Sequence, residues 1–466
     1  MTASASVPLK PRTVPPMPSG TGPIRRLRAS LKNPVSMYTE DYFRDPIIKA
    51  RMGGRWFAQV MDPDLVQKLL QGEGTFCGRS PLAQKVLKPA LRDGLLTAEG
   101  QTWKTQRKAA SPAFRARALA SLVPTFSRAG LASRDRLLAQ RGETVNIALE
   151  TTRATFDVIS DVLLAQPGEG FRQEDVAENI AIFAHSIGRF TLYDLFPVFD
   201  SFLPRRLFSP GYKKGMAAVA ELRAMATDIV ERRMAVPLAE GAEQDDLMGL
   251  LIAARDPETG AGLNAEELVD NALTFVGAGH ETTAVALAWT LSILAQSPHW
   301  QDALAEEATS VLGDRAPTAE DLPRLALHDR VVREAMRLYP PVAIIPRGIT
   351  APVELGGHHF GPGDHVSVGV YPMHRHQALW VDPWAFDPDR FLPERASDYH
   401  KYQWLPFGGG PRVCIGLRFA MMEAVAILAT LTPSLRFSMP GAQPPEPYLA
   451  VTMRPRGGVP LKIEAR

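Results

Sequence analysis

The stretch NALTFVGAGHETTAVALAWTLSILAQ, Asn271 to Gln296, constrains this chain more than any other. It reads as a helix of about seven turns, and His280 and Glu281 are its only titratable side chains. A helix that is apolar all round is buried on most of its sides. Its length would suit a membrane span. The His–Glu pair at its middle, and the lack of a second such segment, argue instead for the centre of a large globular body. A carboxylate in apolar surroundings is costly unless it is used or well paired. Gly277 and Gly279 loosen the helix. Thr282 stands where its hydroxyl can return to the carbonyl of Ala278, which bends a helix. A bent core helix with a satisfied glutamate fits this pattern, and so does a helix carrying a working acid–alcohol pair, Glu281 and Thr282.

The rest of the chain supplies the body. Its 466 residues are 45% hydrophobic and 22% charged, a balance that places it with ordinary globular chains rather than disordered ones. A net charge of +2 argues against bulk electrostatic binding of nucleic acid. Two cysteines, Cys77 and Cys414, cannot build a disulfide framework, so a reducing, cytoplasmic setting and a soluble chain are expected. Residues 1–36 form a Pro-rich arm, expected to be extended, partly disordered, and without a signal or membrane-anchoring run. Its Arg25, Arg26, Arg28 and Lys32 suit a solvated cluster, or contact with an anionic surface.

Residues 37–466 read as one domain. Turn-broken β-branched and aromatic residues suggest a small sheet over about 50–75. Helical periodicity dominates from about 100 to 340. After that, Pro and Gly punctuate short strands, interrupted by one helix beginning at Cys414. The fold class expected is mainly α with minor β (α+β).

Four constellations carry chemistry. In FGGGPRVCIG, Phe407 to Gly416, Cys414 sits at the mouth of an apolar helix, where unpaired N–H groups favour an anionic sulfur. The glycines admit close backbone approach, and Arg412 offers a cation. A buried structural cysteine fits the same residues. The second constellation is Glu281–Thr282. In the third, VVREAMRLYPP, Glu334 and Arg337 share a helical face, as in many surface ion pairs, and FDPDRF adds Arg390. In the fourth, QTWKTQRKAA, Trp103 and Arg107 lie four apart, so an indole N–H and a guanidinium can meet one anion. On spacing alone, a surface Arg on an amphipathic helix is the more ordinary reading.

Taken in order and together, these segments make the chain resemble the cytochrome P450 family, the heme-thiolate monooxygenases, over nearly its whole length after the arm. The resemblance implies a helix-rich body with small antiparallel sheets around a buried heme b. It makes Cys414 the axial thiolate on iron, with Phe407 and Gly416 beside it. Trp103, Arg107, Arg412 and Arg347 match positions that hold heme propionates. Glu334, Arg337 and Arg390 match a structural charge triad. Glu281 and Thr282 match the pair that delivers protons to bound O2. Two departures are small: Asp389 stands where Glu is more usual, and Glu281 where many members carry Asp.

The implied pocket draws on Asn271, Phe275, Val276 and Ala278, on Val342, Ala343, Ile344 and Ile345, and on the turn near Leu449 and Val451. A roof is expected from Ile182 to Phe199. The implied reaction inserts one oxygen atom of O2 into a C–H or C=C bond of a hydrophobic small molecule such as a fatty acid, terpene or alkyl aromatic. No phosphate-cradling glycine motif follows a strand. Electrons are therefore expected from NAD(P)H through a separate ferredoxin or flavodoxin, which Lys104 and Lys108 could meet. Peroxide-driven oxygenation and a non-catalytic heme sensor or carrier are the alternatives.

Overall fold

The computed structural model describes residues 8–164, 173–186, 211–235, 246–256, 259–441 and 443–466. Helix α1 (Pro23–Ser30) lies in the arm, where composition alone suggested extended chain. From residue 8 onward the arm is laid against the body. Tyr339 donates its hydroxyl to the Arg12 carbonyl at 2.6 Å, and Arg26 donates to the Tyr42 hydroxyl at 2.7 Å. Buried partners of this kind, with Leu9 and Val14 packed on the core, hold the Pro-rich chain in place.

The expected small sheet exists but is shorter, and part of a larger one. Strands β1 (Ile47–Met52) and β2 (Arg55–Val60) form a hairpin. The chain then enters α2 (Pro63–Gln71), capped by Asp62, whose carboxylate accepts from two backbone N–H groups, with Pro63 at the first turn. That cap and proline are a helix-start signal which outweighs the β-like residues before it. With β3 (Cys77–Arg79), β4 (Ile344–Ile349) and β5 (His365–Gly369), the sheet runs in the order β1-β2-β5-β4-β3. Strands β2 and β5 pair in parallel, so the sheets are not all antiparallel as the resemblance implied. More than 300 residues separate those two strands in sequence, and the helical body supplies the long crossover a parallel pair needs.

Helices fill the centre of the described chain. After α3 (Gly100–Ala110) come α4 (Val123–Ala139) and α5 (Ile147–Leu164). The long apolar segment is α6 (Ala265–Leu294). Asn264 and Glu267 start it with a reciprocal capping box, each side chain accepting the other's backbone N–H at 3.0 Å, a device worth about 1 kcal/mol. Nearly all of its second half is buried, which puts it in the core, as its composition required. Among the described residues no helix is long and apolar enough to cross a membrane.

Helix α7 (Ala326–Leu338) ends before Pro340, and Tyr339 stacks on Trp289 of α6 with ring centres 3.8 Å apart. The last helix, α8 (Leu417–Leu431), begins three residues after Cys414 rather than at it. A two-stranded hairpin, β6 (Pro447–Leu449) and β7 (Met453–Pro455), closes under α6. There the Trp289 indole N–H donates to the Met453 carbonyl at 2.8 Å.

Candidate functional site

A cavity of about 450 Å³ opens between α6, α3, the glycine loop and the hairpin, within the range of small-molecule and cofactor sites. Cys414 stands on its wall, with its backbone N–H donating to the Phe407 carbonyl at 2.9 Å. Its sulfur is open to the cavity, and the surrounding protein otherwise encloses it. That enclosure pushes the thiol up, while the Gly416 N–H and the Arg107 guanidinium oppose it. The loop's unpaired donors therefore lean toward a thiolate but do not outweigh burial, and a cation at the sulfur would complete the balance. Gly410 has φ +67°, and a Cβ there would lie 2.7 Å from the Leu70 carbonyl oxygen. The loop seats directly on the end of α2, and a side chain would lift it off. At Gly416 a Cβ would make an ordinary 3.9 Å contact with the sulfur, so what that residue supplies is its N–H.

The cations expected beside the cysteine do converge. The Arg412 guanidinium lies 4.0 Å from the centre of the Trp103 ring. It donates to the Ala98 carbonyl at 2.7 Å and to Glu73 at 3.1 Å. Arg347, buried on β4, lies 3.2 Å from the same Glu73 carboxylate. Arg107 lines the cavity and has no carboxylate partner among the described residues. Sequence reading missed Arg79, which pairs directly across β3–β4 with Arg347. Like charges opposite one another destabilise a sheet. Burial, together with Arg412 and Arg347, pulls the Arg79 guanidinium down to about 9. The buried Nε atoms of Arg79 and Arg347 have no hydrogen-bond partner.

Glu73 thus pairs with two guanidiniums, Arg347 and Arg412, and shares with Glu99 the offsetting of charge at Arg79. A heme carrying two propionates suits this cluster, this cavity and a lone sulfur on its wall. Arg79 lies two residues after Cys77 in GTFCGRS, and nothing in that local pattern marks it as facing Arg347. Glu73 carried no signal, because the turn after α2 gives no hint that its side chain turns inward.

On α6 the Thr282 hydroxyl returns to the Ala278 carbonyl at 2.7 Å. The Thr155 hydroxyl reaches across from α5 to the His280 carbonyl at 3.0 Å, so side-chain donors meet the helix backbone at two carbonyls within one turn. Glu281 and Thr282 both line the cavity. The Glu281 carboxylate accepts from Arg454 Nε at 2.9 Å and from the Thr452 hydroxyl. Both partners lie at β7 and were not singled out from sequence. Arg454 is half exposed, and the Glu281 side chain is itself partly exposed, so the acid lies between the cavity and the surface.

The pocket residues divide. Phe275, Val276, Ala278, Val342, Ile345 and Val451 line the cavity. Ile344 does not: alternation along β4 sends Ile345 and Arg347 inward and Ile344 to the other face of the sheet. Asn271 instead holds structure, accepting from the Leu95 N–H at 3.0 Å and donating to Gln106 at 3.2 Å. Ala343 and Leu449 are buried in the core behind the wall. The expected roof lies, from residue 187 onward, outside the described residues.

Glu334, Arg337 and Arg390 meet in the interior rather than at the surface. Both Glu334 oxygens accept from Arg337, at 2.7 and 2.8 Å, and one also accepts from Arg390 at 3.2 Å.

A further acid was not foreseen. Glu423 on α8 is buried, with one oxygen lacking a partner. Burial raises it from 4.5 to about 8, and a bond with Thr283 of α6 partly offsets this. The folded chain therefore keeps a proton there that the unfolded chain releases above 4.5. Stability is lost as pH rises from that value to about 8. We expect Glu423→Gln to unfold at the same temperature as the parent near pH 4, and to be more stable at pH 7 by on the order of 3 kcal/mol. Thermal unfolding across pH checks this, and parallel curves would refute it.

Comparison with known proteins gives one answer. A family model described as Cytochrome P450 matches residues 18–461. Cyclooctatin synthase of Streptomyces melanosporofaciens is 31% identical over 416 residues, covering 89% of this chain and 88% of that protein. A cytokinin hydroxylase of Arabidopsis thaliana is 31% identical over 411 residues, covering 87% and 78%. The crystal structure of the cytochrome P450DA heme domain superposes with a TM-score of 0.82 at 25% identity, covering 98% of this chain and 99% of that one.

Proposed function

This chain belongs to the cytochrome P450 family, and from that premise we propose that Cys414 ligates the heme iron of a monooxygenase acting on an apolar small molecule. As a member of that family it is an oxidoreductase of the heme-thiolate class, which uses O2, a redox partner and a small-molecule substrate. The observation that carries the residue-level reading is the cavity with Cys414 on one wall and Glu281–Thr282 on another. Bound heme supplies O2 binding and activation, tuned by its thiolate. Protein residues then do three things. Arg79, Arg107, Arg347, Arg412 and Trp103 orient the group through its carboxylates. Thr282 offers a hydroxyl on the cavity side of α6. Glu281, held at the cavity wall by Arg454 and Thr452, takes protons from solvent and passes them toward that hydroxyl.

The substrate class follows from the wall. Phe275, Val276, Val342, Ile345 and Val451 give it an aliphatic and aromatic surface, which favours a terpene-like, fatty or alkyl-aromatic compound. The named relatives, a synthase and a hydroxylase, are consistent with C–H hydroxylation. Electrons would come from NAD(P)H through a ferredoxin or flavodoxin, with exposed Lys104 and Lys108 on α3 meeting its acidic face. A cytoplasmic setting fits two unpaired cysteines.

The test is turnover of a hydrophobic library, preselected by spin-state shifts of the heme, with NADPH and a surrogate reductase chain. Product only with hydrogen peroxide would favour direct peroxide use, and no product either way a sensor. Thr282→Ala is expected to keep NADPH consumption while product per electron pair falls by roughly tenfold or more, with released peroxide making up the difference. Unchanged coupling would remove Thr282 from proton delivery.

A further inference from the structure

Helix α1 is amphipathic the wrong way round for a soluble body. Ile24, Leu27 and Leu31 share one face by their spacing, and they are 70%, 54% and 78% exposed. None of the residues of α1 is buried. An amphipathic helix on a globular protein normally turns its apolar stripe inward. Here a cation faces inward instead: Arg26 donates to the Met37 carbonyl at 3.1 Å and to the Tyr42 hydroxyl at 2.7 Å.

The helix is also firmly mounted. Arg456 donates to the Lys32 carbonyl at 2.6 Å, and Asn33 donates to Glu446 and the Pro447 carbonyl at 2.9 and 2.8 Å. The outward stripe is therefore a fixed feature of the surface.

We propose that α1 is a docking surface for an anionic lipid bilayer. Arg25, Arg28 and Lys32 are exposed beside the three aliphatic residues and make no ion pair among the described residues. The segment from Pro23 to Lys32 has no acidic residue. Aliphatic side chains enter the acyl boundary while long cationic ones reach the headgroups above them, and this alternation is the chemistry of an interfacial helix. A protein partner is less suited: the helix has no aromatic anchor and offers far less than the ~1,000 Å² of a stable interface. A second copy would set the same cations against each other across a two-fold axis. The contact is peripheral, and it stands on α1 alone, independently of the heme reading.

The experiment is co-sedimentation of the heme-loaded full chain with phosphatidylcholine vesicles, with and without phosphatidylglycerol. Binding is expected only with the anionic lipid, weakening as salt rises. Arg25→Gln/Arg28→Gln/Lys32→Gln should lower partitioning by on the order of a hundredfold, at about fivefold per charge. Leu27→Ser/Leu31→Ser should lower it by about tenfold or more. Both variants should keep the parent's heme spectrum and unfolding temperature, because none of these side chains is buried. Equal binding to neutral vesicles would overturn the proposal, and so would variants that bind as the parent does. It also fails if the leucine variant instead changes sedimentation as a dimer would.

Discussion

Cys414→Ser should abolish the red-displaced Soret band of the reduced, carbon-monoxide-treated protein and bring turnover to background, whereas Cys77→Ser should leave both intact. The two cysteines are chemically close and structurally opposite. The sulfur of Cys414 is open to the cavity, with the Gly416 N–H and Arg107 drawing it toward the anion. The Cys77 thiol is buried in β3 and donates to the Leu69 carbonyl at 3.2 Å. Burial, only partly offset by the Arg347 guanidinium, pushes that thiol up to about 11. A neutral thiol without access to the cavity behaves as a small apolar side chain. Serine there keeps the donated hydrogen bond and costs little. Serine at 414 keeps the shape of the loop but is a hard, weakly acidic oxygen that does not push electron density as a thiolate does. Difference spectra of the two variants decide the matter, and a normal band in Cys414→Ser would overturn the assignment of the ligand.

What the sequence disclosed, and what it hid, follows from how far apart the cooperating residues lie. The burial of α6 was legible because it depends on one continuous apolar run. The Thr282–Ala278 bond was legible because it spans four residues of one helix. Glu334 and Arg337 were legible as a pair for the same reason, though their depth was not, since spacing does not report burial. Arg79 and Arg347 come together only when β3 and β4 pair, 268 residues apart in register, and no local pattern announces that. Arg454 and Thr452 reach Glu281 from the far end of the chain. Ile344 was misplaced because the phase of an alternating strand is set by its neighbours. The arm's helix was missed because composition rich in Pro and Ser outweighed the short PIRRLRAS pattern.

Glu334→Ala should be the most damaging change away from the cavity, costing about 3–5 kcal/mol, and it is expected to leave little folded, heme-retaining protein. Glu334 has no solvent exposure, and its carboxylate is shared by Arg337 and Arg390, which are also buried. Removing it leaves two buried guanidiniums without a counter-charge, and the Asp387 N–H loses its acceptor at 3.0 Å. Arg337 also donates to the carbonyls of His374, Pro383 and Ala385, so the loosened cation frees a long stretch of irregular chain ahead of the cysteine loop.

The comparison that isolates burial is Asp228→Ala. It removes an exposed i,i+4 partner of Arg232 and should cost less than about 0.5 kcal/mol. Glu334→Gln separates charge from shape: it keeps an acceptor in place but not the anion, and should fall nearer to Glu334→Ala than to the parent. Urea unfolding of the three variants, followed by tryptophan fluorescence and by heme absorbance, gives the ranking. If Glu334→Gln unfolds with the parent, hydrogen bonding rather than charge compensation holds this cluster, and the three residues act as ordinary polar packing.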